Sequence, residues 1–300
     1  MSAGSLDREQ LLRSLLFVPG NDERKLQKAG ALGADLVVID LEDAVAEAEK
    51  TGARETAAAA VGQLSADARV AVRVNGIETG RLQDDVGTVA AAAGLAAIVV
   101  PKVEAEDTLA IVDDLLAGSA REVGVLALVE TPLGIARCED ILASAPPRTI
   151  TAMLGVADFT AALGVDPSEE GIELLYARQR LIVAARAAGM PGPIDGPYLR
   201  LDDPDGLLAD TRRSRALGFQ GRVALHPRQV NPINRGYSEL SDEQLAAAER
   251  IVEAFERAET SGVASIRVDG RFVDYPVYAL ARAKLRRHAA YRGERPTPPR

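Results

Sequence analysis

The sequence predicts an α/β fold in which eight βα units close into a (β/α)8 barrel, and three observations carry that reading. Short apolar runs end in polar side chains: residues 36–39 lead to Asp40, 70–74 carry Arg73 and Asn75, 97–100 lead to Lys102, 123–129 to Glu130, and 150–156 towards Asp158. Runs this short, and this rich in Val, Leu and Ile, are strands buried on both faces of a parallel sheet. The polar tips follow one another at 33, 29, 28 and 28 residues, the length of one strand, one helix and two loops. The segments between are Ala-rich helices, and a closed barrel, unlike an open sheet, brings so many successive tips around a single mouth. A chain of 300 residues with 47% hydrophobic composition holds one such barrel of about 250 residues with an appendage.

In order, residues 1–10 are polar and are expected to form a flexible tail, with the barrel over 11–262. The first strand, 14–18, is closed by Pro19 and Gly20; Asn21 or Asp22 then caps a helix in which Arg24 and Lys28 lie one turn apart. That basic helix start is either a phosphate site or an exposed face of solvated charge. The second unit carries Asp40, Glu42 and Asp43 ahead of an Ala-rich helix. One acid there suits the helix dipole; three exceed that need, and they are caps, partners of Arg54, or part of a site. Arg73, in an otherwise apolar third strand, must pair with a neighbouring acid, project into the mouth to meet an anion, or do both. Lys102 leaves the fourth strand for solvent or for an ion pair.

Glu130 ends the fifth strand, and Thr131 and Pro132 behind it have the chemistry of a helix cap and first turn. Glu130 and Asp158 end consecutive strands, which lie roughly 5 Å apart in a parallel sheet, so their carboxylates can converge. Converging carboxylates need a cation or a shared proton between them, and oxygen-only ligation suits Mg²⁺ over a transition metal. The alternative is a pair of structural acids bridged to Arg73. Gly155 allows close backbone approach here. A long helix with Tyr176, Arg178 and Arg180 follows, then a weak seventh strand around Ile194 with Asp195 at its tip. The eighth strand is read through GRVALHPRQV, with His226 a structural hydrogen-bond partner, and a helix from Ser241 closes the unit. Residues 263–290 lie beyond the barrel's quota: an extended piece, a turn at Asp269 and Gly270, then Asp274 and Pro276 before a last helix. This is a lid carrying an isolated acid, or a docked helix with Asp274 as its N-cap; a disordered tail is expected over 291–300.

A formal charge of −9 and a pI near 5.0 argue against a nucleic-acid or acidic-membrane partner. One cysteine, Cys138, excludes an internal disulfide framework, and two histidines, His226 and His288, give no zinc pattern. With no apolar stretch of membrane-spanning length and no leader-like start, a soluble cytoplasmic protein is expected.

The stretches RSLLFVPGNDERKLQKA, ADLVVIDLEDAVAEAEKTGAR, VRVN, VVPKVE, LVETPLGI, LGVADFTAALG, GFQGRVALHP and DGRFVDYP together resemble the HpcH/HpaI aldolase and citrate lyase β-subunit family, in its CoA-ester lyase branch. The resemblance implies a TIM barrel and a Mg²⁺-dependent carbon–carbon lyase, with Mn²⁺ an alternative ion, that cleaves or forms a 3-hydroxyacyl-CoA such as malyl-CoA or citramalyl-CoA. It implies the ion on Glu130 and Asp158, Arg73 on the substrate, and Glu42 and Asp43 on metal-bound water, with Asp40 among the same acids. It also implies CoA phosphates near Arg24 and Lys28, and Asp274 as a base on a lid reaching a neighbouring subunit of a homotrimer or hexamer. For such a reaction, helix N-termini after Glu130 and near Gly155 offer backbone N–H groups to the oxo-acid carboxylate. A citryl-ACP or citryl-CoA lyase subunit of a larger complex, and a CoA-independent 2-oxo-acid aldolase, are the alternatives.

Overall fold

The computed structural model describes residues 6–8, 10–118 and 122–292. It divides after Ile233 into two compact units. The first is the expected barrel. Its strands are β1 (Ser14–Pro19), β2 (Leu36–Asp40), β3 (Val70–Arg73), β4 (Leu95–Val100), β5 (Gly124–Val129), β6 (Thr149–Leu154), β7 (Ile194–Asp195) and β8 (Gly221–Ala224). They pair in sequence order, all parallel, and β8 closes on β1 with Ser14 opposite Arg222. Around them run α1 (Glu23–Ala29), α2 (Lys50–Leu64), α3 (Leu82–Ala90), α4 (Glu106–Leu116), α5 (Pro132–Ala143), α6 (Val156–Leu163), α7 (Leu175–Ala187) and α8 (Pro204–Leu217).

Alternation along the strands decides what enters the mouth. Leu36 and Val38 on β2, Ala71 on β3, and Leu126 and Leu128 on β5 belong to the apolar interior. Side chains two residues further on take the same face, so Asp40, Arg73 and Glu130 enter the barrel at its C-terminal end. The opposite end is stoppered. Leu6, 3% exposed, packs in the same interior cluster, and Arg8 donates from Nε and Nη2 to the Thr149 carbonyl at 3.2 and 2.8 Å. Of the flexible tail expected over 1–10, residues 6–8 are therefore docked, because one leucine among polar neighbours finds apolar surface under the strands. Residues 1–5 and 9 lie outside the described residues.

β7 is only two residues long, as the flanking prolines imply, and a buried ion cluster reinforces it. Ile194 and Val223 fill the interior, so the adjacent Asp195 and Arg222 turn outward to the helices. There Asp195 accepts from Arg222 Nη2 at 2.7 Å and meets Arg178 Nη2 of α7 at 3.0 Å, while Asp210 of α8 meets the same Arg222 nitrogen at 2.5 Å. Burial alone would raise the Asp195 pKa; Arg178 and Arg222 outweigh it and hold the carboxyl below its usual range. The residue read as a strand-tip acid thus belongs to the wall.

Two boundaries differ from expectation. β8 stops at Ala224, and Pro227 opens a helix, α9 (Pro227–Ser238), within which the division between the units falls. The run through GRVALHPRQV had read as a single strand, but a proline suits the first helical position better than a central strand. β6 likewise stops at Leu154, so Asp158 stands not at a strand tip but in the first turn of α6.

The second unit, from Asn234, holds the end of α9, then α10 (Asp242–Glu259), a hairpin of β9 (Ile266–Val268) and β10 (Arg271–Val273), and α11 (Tyr275–Arg292). Ser241 and Gln244 form a capping box on α10. The hairpin turns on Asp269 and Gly270, both at positive φ (48° and 82°), the conformation a two-residue primed turn requires. Phe255 stacks on Tyr278 with centroids 4.7 Å apart and meets Tyr275 edge-on at 5.1 Å. α11 runs to Arg292; of the tail expected over 291–300, residues 293–300 lie outside the described residues.

Removing one partner of a buried ion cluster strands the other charges. Asp195→Ala is expected to cost about 3–5 kcal/mol in urea unfolding. A loss under about 1 kcal/mol would mean that the cluster does not hold the seam between β6 and β8.

Candidate active site at the barrel mouth

Arg73 organises the mouth. Its Nε and Nη2 donate to the two oxygens of Asp40 at 2.7 and 2.6 Å, a bidentate fork, and Nη1 meets Glu42 at 2.8 Å and Asp43 at 3.4 Å. The guanidinium lies over the Phe17 ring, 5.2 Å from its centroid. Of the two readings of this arginine, pairing with an acid holds, and the structure supplies three acids. Burial opposes its charge, but Asp40, Glu42 and Asp43 outweigh that and raise its pKa. Asp40 also accepts from the backbone N–H groups of Glu42 at 2.9 Å and Ala44 at 3.2 Å, so it fixes the loop after β2 as well as Arg73.

That loop is held from behind by residues the sequence reading passed over. Lys50, the first residue of α2, donates from Nζ to the carbonyls of Leu41 at 3.0 Å and Glu42 at 2.9 Å, and to Asn75 Oδ1 at 2.6 Å. Asn75 donates in turn to buried Asp85, whose other oxygen accepts from Arg54 at 2.7 Å. Arg54 is therefore the partner of Asp85, and of Asp84 at 3.6 Å, rather than of the acids at 40–43. A lysine at a helix N-terminus opposes the dipole, and that was the signal available for Lys50.

Glu42 is buried between two cations: Oε2 faces Arg73, and Oε1 lies 3.2 Å from Lys102 Nζ, neither as a well-aligned hydrogen bond. Burial, reinforced by Asp43 and only partly offset by Arg73 and Lys102, pushes its pKa up to about 7. Of the two readings of Lys102, the ion pair holds. Its backbone adopts φ 50°, and its N–H donates to Glu130 Oε1 at 3.0 Å.

Glu130 is 2% exposed, and burial, then repulsion from Glu42 and Asp158, pushes its pKa up to about 8. A β-carbon at residue 155 would overlap the Glu130 β-carbon and Oε2, so the absent side chain of Gly155 is what makes room for this carboxylate. Gly155 is also the N-cap of α6 and offers no side-chain cap, leaving first-turn N–H groups open beside the acids. Asp158, half-buried in that turn, makes no hydrogen bond or ion pair to another described residue. Among the described residues no group of three or more His, Cys, Asp or Glu side chains is arranged around one point. Two carboxylates with open lone pairs, in a mouth where acids outnumber cations, suit a hard cation whose other ligands are water or substrate oxygens.

The remaining candidates lie on α1, between β8 and α9, and in the second unit. Arg24 and Lys28 are exposed on α1, and Asp22 caps that helix by accepting from the Lys25 N–H at 3.1 Å, which puts a carboxylate at the helix start. His226 Nδ1 accepts from the Arg228 N–H at 3.2 Å, the structural role expected of it. Asp274 accepts from the Val277 N–H at 3.2 Å and so caps α11.

The sign of the Glu130 shift sets the pH dependence of stability. The folded state keeps a proton to about pH 8 that the unfolded chain releases near 4.5, so the contribution is complete below 4.5 and lost as pH rises through about 8. With no divalent cation present, the Tm is expected to fall as pH rises from 4.5 to about 8 and to level off above it, and Glu130→Gln, neutral throughout, to show a shallower fall. Equal slopes in the two proteins would remove Glu130 as the source.

Comparison with known proteins places the chain in a family. The model of the HpcH/HpaI aldolase/citrate lyase family matches residues 13–227. The chain is 32% identical over 289 residues to citrate lyase subunit beta of Leuconostoc mesenteroides subsp. cremoris, covering 94% of each chain. It is 31% identical over 284 residues to the mitochondrial citramalyl-CoA lyase of Homo sapiens, covering 90% of this chain and 83% of that one. Its fold is similar to the crystal structure of protein CitE from Mycobacterium tuberculosis in complex with magnesium, acetoacetate and coenzyme A, with a TM-score of 0.78, 30% identity, and coverage of 93% and 98%. A closed barrel with paired acids at its mouth, matched along nearly its whole length, makes this chain a member of the HpcH/HpaI aldolase/citrate lyase family and an enzyme of its lyase type.

Proposed function

We propose that the protein is a Mg²⁺-dependent carbon–carbon lyase acting on a 3-hydroxyacyl-CoA such as malyl-CoA or citramalyl-CoA, giving acetyl-CoA and a 2-oxo acid. The observation that carries this reading is the Glu130 carboxylate, buried against Gly155 with Asp158 unpaired beside it. Similarity to a citramalyl-CoA lyase and to a protein crystallised with magnesium, acetoacetate and coenzyme A supports it. Glu130 and Asp158 would hold the ion, Glu42 and Asp43 its water, with Asp40 behind them. When bound, the ion supplies Lewis-acid stabilisation of oxygens that gain negative charge.

The chain's own residues do the rest. Cleavage passes the hydroxyl proton to solvent water, breaks the bond between the carbinol and α carbons, and leaves the electron pair as a thioester enolate that takes up a proton in turn. Arg73, locked by Asp40 and Phe17, presents a fixed positive charge to the developing oxyanion, at no cost in reorganisation. The first-turn N–H groups of α6 suit the oxo-acid carboxylate. Asp274 returns the proton to the enolate carbon in cleavage and removes it from the acetyl methyl in condensation, the second unit acting as a lid on a neighbouring subunit of a trimer or hexamer. Arg24 and Lys28, exposed cations, suit the CoA phosphates.

Isothermal titration should show Mg²⁺ binding to the wild type and none to Asp158→Ala, which keeps its fold and loses turnover. Full metal-dependent activity in that variant would reject the ligand pair. Asp274→Asn should lose rate with little loss of CoA binding, and mixing it with Arg73→Ala should restore part of the activity. No recovery in mixed oligomers would assign Asp274 to its own chain. A thermal-shift response to pyruvate or glyoxylate with Mg²⁺ but none to CoA or acetyl-CoA would favour a CoA-independent aldolase.

A further inference from the structure

Lys102 has no role in the chemistry above, yet its backbone is strained. Among the described residues two non-glycine positions have positive φ, Asp269 and Lys102, and only Asp269 sits in a hairpin turn that calls for it. Strain of this kind persists where the surroundings over-determine it, and two contacts at Lys102 do so. Its N–H donates to Glu130 Oε1 at 3.0 Å, and its Nζ lies 3.2 Å from Glu42 Oε1. The other oxygen of Glu42 faces Arg73 Nη1 at 2.8 Å, so each oxygen of this buried carboxylate has its own cation. Glu42 and Glu130 meet at this one residue, the ammonium of Lys102 on the first and its N–H on the second. Glu42 nevertheless forms no three-acid cluster with Glu130 and Asp158.

We infer that Lys102 is a positioning residue whose ammonium, with Arg73, withholds Glu42 from direct metal ligation, so that the ion keeps a ligand position for substrate. This rests on the Mg²⁺ reading of Glu130 and Asp158. A third carboxylate on the ion would bind it more tightly and fill a position the substrate needs. Removing the ammonium should therefore tighten the metal and slow the enzyme together, the opposite of what loss of a merely stabilising residue does. The backbone contact survives many substitutions, and glycine suits the positive φ.

The experiment is Mg²⁺ titration calorimetry on the wild type, Lys102→Met, Lys102→Gly and Lys102→Arg, with Lys102→Met repeated in a Glu42→Gln background, beside steady-state kinetics. Lys102→Met and Lys102→Gly should each lower the Mg²⁺ Kd by about ten-fold or more and reduce kcat, Lys102→Arg should keep the wild-type Kd, and Lys102→Met should leave the Kd unchanged in the Glu42→Gln background. An unchanged Kd in both the Met and Gly variants, or equal tightening with Glu42 replaced, would overturn the inference while leaving the metal pair intact. A folded wild type that binds no Mg²⁺ would overturn the metal pair, and this inference with it.

Discussion

Burying carboxylates together is costly unless positive charge is built in first, and the fork between Arg73 and Asp40 does that building. It is an interaction between adjacent strands, Asp40 standing opposite Arg73 in the β2–β3 register, so it forms wherever the barrel forms. From it the acid loop acquires its course: Asp40 accepts from the loop's N–H groups, Lys50 gathers its carbonyls, and Glu42 is delivered between Arg73 and Lys102. Break the fork and the loop loses both its anchor and the counter-charge that lets Glu42 be buried.

The polar tips of the strands are the part of the site that the sequence made legible, and period-two alternation is why three of them face inward. Asp40, Arg73 and Glu130 are polar residues on the inward parity of apolar strands, and no side chain between them and the interior disturbs that parity. Asp195 misled because the same reasoning needs the parity of a strand that is only two residues long; Ile194 takes the inside and turns the acid towards Arg178 and Arg222. Asp158 was read as a strand tip but stands in the first turn of α6, since the apolar run of β6 passes into that helix with little break in hydrophobicity. Lys50, Asn75 and Asp85 form a network across three elements, and contacts of that kind have no local signature.

Stability and chemistry pull against each other around Glu130. Gly155 gives up side-chain packing to admit the carboxylate, and the folded state holds that group in a place where ionisation is disfavoured. The stability this forgoes is recovered elsewhere, in the apolar barrel layers, in Leu6 beneath them, and in the aromatic stack of Phe255, Tyr275 and Tyr278 within the second unit. Such an uneven distribution is expected where a site must bind charge.

The two-residue length of β7 has a consequence for how this fold can diversify. In a ring of eight strands β7 lies across from β3, so the most lightly laddered part of the wall faces the strand of Arg73. On that side few backbone pairs tie the wall together. Insertions or bulkier residues there reshape the space offered to an incoming molecule without disturbing the charged strands opposite. One barrel can in this way keep its charged side constant while the wall opposite varies.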